Sequence, residues 1–188
     1  MILPTDAKML MTYAECLKRQ GSDYRLKKAI ADGVVFKLGE GIYSDVGDES
    51  ELEIIQWKHP NAVMTLDSAY FYYGLTDTIP EYYYMATASN ARAILDSRVR
   101  QFYMPRGTYS IGLTEIDYQG EKVRAYDLER LVIETARMKP KLAPDMYREV
   151  VLAFRAKAST IDLTRLQIYL RNFAKRDLME RIICEEVL

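Results

Sequence analysis

Histidine occurs once in this chain, tryptophan once and cysteine twice. The single histidine is His59, beside Pro60. Cys16 and Cys184 fall in predicted helices at opposite ends, with no CxxC spacing and no Cys/His cluster. That scarcity argues against zinc and sets buried, reduced thiols above a disulfide. No Walker-type loop and no GxGxxG occurs, so no cofactor is expected. No apolar run approaches the ~20 residues of a membrane span. The opening residues carry Asp6 and lack the basic-then-apolar order of a secretory signal. The expectation is a cytoplasmic protein with no membrane partner. Internal repeats, low-complexity tracts and long heptad patterns are also missing.

What is present is an ordinary globular composition, 49% hydrophobic and 28% charged over 188 residues. That length suits a small domain followed by a larger one. Net charge is −1, but it is unevenly spread. Residues 46–136 hold eight Lys/Arg against fourteen Asp/Glu, and residues 137–176 hold ten against three. Near the start, Lys18, Arg19, Arg25, Lys27 and Lys28 crowd a short stretch in which Asp23 is the only acid. A local basic patch on a near-neutral chain suits a sequence-specific nucleic-acid binder better than a coating protein.

Residues 12–43 carry the densest information. Thr12 can cap a helix ending near Gln20, Gly21 turns the chain, and Ser22 or Asp23 can cap a second helix running to about Asp32 and stopped by Gly33. VVFKL and IY then alternate around Gly39-Glu40-Gly41, a hairpin signal. Two short helices and a small hairpin are the plan of a winged helix-turn-helix, assigned to residues 1–45. On a helical wheel Leu26, Ile30 and Ala29 form the inward stripe. Tyr24, Arg25, Lys27 and Lys28 lie opposite or on its flanks. Ser22 at the helix start and Lys37 in the wing complete the candidate DNA-binding set. Cations of this kind meet phosphates, and arginine can also read guanine. The bland reading of the same residues is a solvated helix face.

Residues 44–52, SDVGDESEL, read as a linker. Residues 46–188 are expected to form an α+β domain with a small sheet and a helical C-terminal half. Helices are predicted over Glu49–Lys58, Leu66–Tyr73, Asp127–Arg137, Pro144–Lys157, Asp162–Lys175 and Arg176–Glu186. Thr65 or Asp67 could cap the second of these. Strands are predicted over Tyr82–Thr87, Val99–Met104, Tyr109–Tyr118 and, after a Gln119-Gly120 turn, Lys122–Tyr126. In the late helices Met146, Val150, Val151 and Phe154, then Leu163, Leu166, Leu170 and Phe173, form apolar stripes. That leaves Arg148, Arg155, Arg165, Arg171 and Lys175 mostly outside them. These cations are either neutralised by the acidic middle of the chain or form a second surface for an anionic partner.

Two further groups bear on chemistry. Glu115 and Asp117 are two apart on a strand and point the same way, as magnesium-holding carboxylates of nucleotidyltransferases do. The Gly-Ser loop that such enzymes need upstream is missing, since the chain's Gly21-Ser22 lies between the first two helices. The tyrosines of YFYY (70–73) and YYY (82–84) could line a ligand pocket or stack bases, though aromatic clusters more often fill cores and interfaces.

Three segments together resemble one family. YRLKKAIADGVVFKLGEGIYSD is similar to the winged helix that opens the AbiEi antitoxins of type IV abortive-infection toxin–antitoxin systems. AVMTLDSAYFYYGLTD resembles their helix ending in Gly-Leu, and GEKVRAYDLERLVIETAR their strand followed by an Asp-Leu-Glu-Arg helix start. The resemblance implies a non-enzymatic autorepressor that binds operator DNA upstream of its own operon; because one winged helix makes few contacts, binding as more than one copy, a homo-oligomer on DNA, is expected. It also implies an antitoxin, acting through its C-terminal domain, that counters a nucleotidyltransferase-like toxin without a stable complex. The chain carries Asp23 and Asp32 beside its cations, a departure that bears on the base contacts and not on the fold. Two rival expectations stand beside this one: a nucleotide-acting enzyme using Glu115 and Asp117, and a winged-helix module that binds protein and never DNA.

Overall fold

The computed structural model describes residues 9–118 and 120–187. They fall into two compact units, the first ending at Lys58 and the second beginning at His59. Both units mix helices with strands, so the class is α+β, with two sheets among the described residues. No helix among those residues is long and apolar enough to cross a membrane. Residues 1–8, which bear on the signal-sequence expectation, and Gln119 of the predicted turn lie outside the described residues.

The first unit runs β1 (Leu10–Thr12), α1 (Tyr13–Gln20), α2 (Asp23–Ala31), β2 (Phe36–Gly39), β3 (Ile42–Ser44) and α3 (Glu51–Lys58). Thr12 caps α1 in a reciprocal box: its Oγ1 accepts from Glu15 N, while its own N–H donates to Glu15 Oε2 at 2.7 Å. Gly21, at φ 81°, ends that helix in the left-handed region. Ser22 Oγ then accepts from Arg25 N at 3.3 Å and starts α2. The core holds Met11, Cys16, Leu26, Ala29, Val35 and Tyr43, so the inward stripe of α2 lies where the wheel puts it. The strand order is β1-β3-β2, all antiparallel. Strand β1 has no counterpart in the sequence pattern, because three residues are too few to display alternation. The segment read as a linker is organised around Ser44, whose Oγ accepts from Val46 N at 2.9 Å and Gly47 N at 3.1 Å and whose hydroxyl bonds Glu49.

The second unit contains β4 (Val63–Met64), α4 (Leu66–Tyr72), β5 (Tyr83–Ala88), β6 (Val99–Met104), α5 (Arg106–Tyr109), β7 (Leu113–Tyr118), β8 (Glu121–Tyr126), α6 (Leu128–Met138), α7 (Pro144–Ala156), α8 (Leu163–Leu170) and α9 (Arg176–Ile182). Its five-stranded sheet has the order β6-β5-β4-β8-β7, with β5–β6 and β4–β8 parallel and the other pairs antiparallel. Helix α6 is capped by Asp127, whose Oδ1 accepts from Arg130 N at 2.8 Å. It is the most deeply buried helix, packed by α4, α8 and α9. The Tyr70 and Thr135 hydroxyls, 2.7 Å apart and both buried, tie α4 to it.

Four expectations are corrected here. The strand predicted from Tyr109 begins only at Leu113, because Arg106–Tyr109 coil into a helical turn and Gly112 takes a φ of 77°. The helix predicted to Lys175 stops at Leu170. Asn172 turns its amide onto the carbonyls of Ile168 (3.1 Å) and Tyr169 (3.3 Å), and Lys175 adopts φ 58°. Leu163 is 54% exposed rather than part of the α8 stripe, since it stands at the first position after the Asp162 cap. Both cysteines are free, but only Cys16 is buried; Cys184 lies exposed in a π-helical turn, Ile183–Val187, that follows α9.

Candidate nucleic-acid interface

The cap on Ser22 and the burial of Leu26 and Ala29 in the core fix which side of α2 meets solvent. On that side Tyr24 is 77% exposed, and Arg25, Lys27 and Lys28 are exposed with it. The cations differ in their freedom. Lys27 Nζ sits 2.8 Å from Asp23 Oδ2, and the Tyr13 hydroxyl donates to Asp23 Oδ1 at 3.0 Å. Hydrogen bonding within this triad raises the Lys27 pKa and lowers that of Asp23, holding both charged, while the bond to Asp23 pushes Tyr13 up. Among the described residues no ion pair engages Arg25 or Lys28. An added Cβ on Gly21 would stand 3.8 Å from an Arg25 guanidinium nitrogen, so that side chain folds back over the interhelix turn. Ser22 is largely committed to its cap. Lys37 is exposed on β2. Arg19 is held 3.3 Å from Asp45.

Of the cations of residues 137–176, Arg148, Arg155, Arg165, Arg171 and Lys175 are exposed, yet they are not one uniform surface. Arg148 and Arg155 lie seven residues apart on α7 and share a face. Arg165 stands 3.8 Å from Glu129 and 3.9 Å from Asp162, so part of its charge is met by the acidic middle segment. Arg171 and Lys175 follow α8 and are exposed.

Glu115 and Asp117 do share one exposed face of β7, as their spacing implies. Their cross-strand neighbours are Arg124 and Lys122, so cations stand nearest to them. No group of three or more His, Cys, Asp or Glu that could hold a metal occurs among the described residues. Of the tyrosines, Tyr70 is core, whereas Tyr72 packs on Tyr118 with ring centroids 4.3 Å apart.

Sequence reasoning missed a cavity of about 400 Å³ in the second unit, lined by Asp67, Tyr84, Arg100, Phe102, Lys141 and Met146 among others. Burial raises the Asp67 and Tyr84 pKa values. These residues are scattered over 80 positions of the chain, and only Tyr84 belongs to a tract that stands out by composition. Comparison of the chain with family models finds no match, and comparison with curated proteins finds none either.

Proposed function

We propose that residues 10–44 are a winged helix-turn-helix whose α2 enters a DNA groove, and that the protein is an autorepressor and antitoxin of the AbiEi kind rather than an enzyme. The observation that carries this reading is the solvent face of α2. Arg25 and Lys28 stand there without an acidic partner among the described residues, Lys28 with Tyr24 opposite the buried Leu26 and Ala29 and Arg25 on the flank. Exposed cations on a short helix supply phosphate contacts, and arginine adds guanine readout. The order helix, turn, helix, hairpin supports the same reading, because the β2–β3 hairpin bearing Lys37 follows α2 as a wing follows a recognition helix. One such module makes few contacts, so operator binding by two or more copies is part of the proposal. The antitoxin role, directed against a nucleotidyltransferase-like toxin without a stable complex, is proposed for the second unit. Arg148, Arg155, Arg171 and Lys175 are its candidate surface, with Arg165 contributing less because of Glu129 and Asp162. The deciding experiment is a gel shift of the full chain with DNA from upstream of its own operon. A retarded band competed by unlabelled operator and not by scrambled DNA is expected. Equal retardation of both, or of neither, would refute it.

A further inference from the structure

The cavity in the second unit has the chemistry of a ligand site, and the DNA-binding reading does not use it. Its volume of about 400 Å³ lies in the range of small-molecule pockets. One wall is aromatic: the Tyr84 and Phe102 rings are nearly parallel, at 18°, with centroids 5.6 Å apart. Met138, Leu142 and Met146 add apolar, deformable surface. The polar groups converge at one side. Asp67, Tyr84 and Arg100 line that side together. Arg100 is fixed 5.7 Å from the Tyr82 ring centroid, and the exposed Lys141 completes the rim.

Two features show that this arrangement is incomplete. Asp67 Oδ1 is buried and has no hydrogen-bond partner. A buried acceptor left unpaired is costly, and in a cavity wall it is open to a donor brought by a ligand. Asp67 also follows Leu66, whose φ of 45° is a strained backbone angle for a bulky residue. Strain of this kind is retained where it aims a functional group.

The chemistry of the occupant follows from these groups. The aromatic wall takes a flat ring. Asp67 Oδ1 accepts a hydrogen-bond donor, which a flat ring lying on the aromatic wall can present from its edge. Arg100 and Lys141 outnumber Asp67, so the occupant carries net negative charge. A zwitterionic amino acid would leave one cation unmatched. Among nucleobases, guanine alone offers two adjacent donors, N1–H and the 2-amino group, to a carboxylate. Adenine and cytosine place a ring-nitrogen acceptor there, and uracil flanks its N–H with two carbonyls, all of which repel Asp67. We propose that this cavity binds a guanine nucleotide, with the base on Tyr84 and Phe102, its donor edge on Asp67 and its phosphate on Arg100 and Lys141.

Isothermal titration calorimetry of the full chain with GMP, AMP, UMP and XMP tests this. GMP should bind at least about tenfold more tightly than AMP or UMP. Arg100→Ala should weaken GMP by about tenfold or more. Asp67→Asn should reverse the preference: an asparagine amide accepts from N1–H but donates toward position 2, where xanthine carries a carbonyl and guanine an amine. Circular dichroism and thermal melting establish that each variant is folded, and a variant that is not is replaced by Tyr84→Phe, for which a weaker GMP signal is expected. Absence of GMP binding at about 1 mM, equal binding of GMP and AMP, or unchanged GMP affinity in Asp67→Asn overturns the assignment. Operator binding is read separately, so loss of either activity does not imply loss of the other.

Discussion

The Arg130 guanidinium lies 2.9 Å from Glu134 Oε1, one turn further along α6, and both side chains are wholly buried. The pair has further partners. Arg130 also donates to the carbonyls of Thr108 and Ile111, and its guanidinium carbon sits 4.4 Å from the Tyr126 ring centroid and 4.6 Å from that of Phe173. Glu134 in turn accepts from Arg137. Removing one partner leaves an uncompensated charge in the core. Glu134→Ala is therefore expected to destabilise the chain by about 3–5 kcal/mol, read as a lower urea midpoint at unchanged slope. The double replacement Arg130→Met, Glu134→Leu should cost less than Glu134→Ala alone, since no wholly buried charge is left unpaired and Arg137, which also loses Glu134, reaches solvent.

Gly112 faces the same residue. A Cβ built there would stand 2.5 Å from Arg130 Cβ and 2.8 Å from Asp127 Oδ1, at a φ of 77° that side chains rarely adopt. Clash and strain act together, so Gly112→Ala should cost at least about 2 kcal/mol. Thermal melting checks this, and a melting temperature within experimental error of the parent would contradict it.

In the DNA-binding reading, Lys27 and Lys28 are neighbours with different roles. Lys27 is tied to Asp23 and Lys28 is not. Arg25→Ala with Lys28→Ala should lower operator affinity and flatten the salt dependence, by a slope of about 0.9 for each phosphate that is no longer neutralised. Lys27→Ala alone should have the smaller effect. Fluorescence anisotropy across a salt series measures both, and a larger effect of Lys27→Ala would reverse the ranking. The fold should persist, because all three side chains lie outside the buried stripe.

Asp67 gives a pH dependence with a definite sign. Burial raises its folded pKa above the ordinary value of 3.8. A group shifted upward favours the folded state when protonated, so its contribution is fully present below the unfolded pKa and is lost as pH rises through the folded one. Asp67→Asn should therefore melt at a higher temperature than the parent at neutral pH, with the advantage shrinking as pH falls toward the carboxylate range. An advantage that stays constant with pH would show that Asp67 titrates as an exposed residue does.

The free thiols should separate under a thiol reagent. Cys184 is exposed and should react within the time of mixing, whereas burial both covers Cys16 and raises its pKa. One fast equivalent and one that appears only with denaturant is the expected titration.

What can be read from the chain in advance is what is local. The caps at Thr12, Ser22, Asp127 and Asp162 each bond a backbone N–H three residues on, so their signals lie within one turn of chain. The basic face of α2 is legible for the same reason, since its inward stripe sets the outward one. The features that escape depend on distance or on brevity. Strands β1 and β4 are too short to show a period. The pairing of Arg165 with Glu129 joins residues 36 apart in sequence, and the cavity brings together Asp67 before the second unit's longer strands and Lys141 beyond α6. The loop between β5 and β6 is equally invisible. The Gln101 side chain holds it, donating to Thr87 Oγ1 at 2.7 Å and the Arg92 carbonyl at 3.1 Å while accepting from Ile94 N at 2.8 Å.

Strand β4 makes the five-stranded sheet depend on two residues. Val63 and Met64 pair with Ala86 and Met85 on one side, and Met64 with Ala125 on the other. The β5–β6 and β7–β8 pairs are each closed by a chain segment of their own, so either can form or open without the other. This short suture, continued by Thr65 N donating to the Tyr84 carbonyl at 2.9 Å, makes the halves protect each other's amides. In hydrogen exchange, one sheet should thus behave as two cooperative blocks with a common boundary at residues 63–64. A proline placed at Met64, which removes the N–H at that boundary, should let the blocks exchange at unrelated rates while each keeps its own strands paired.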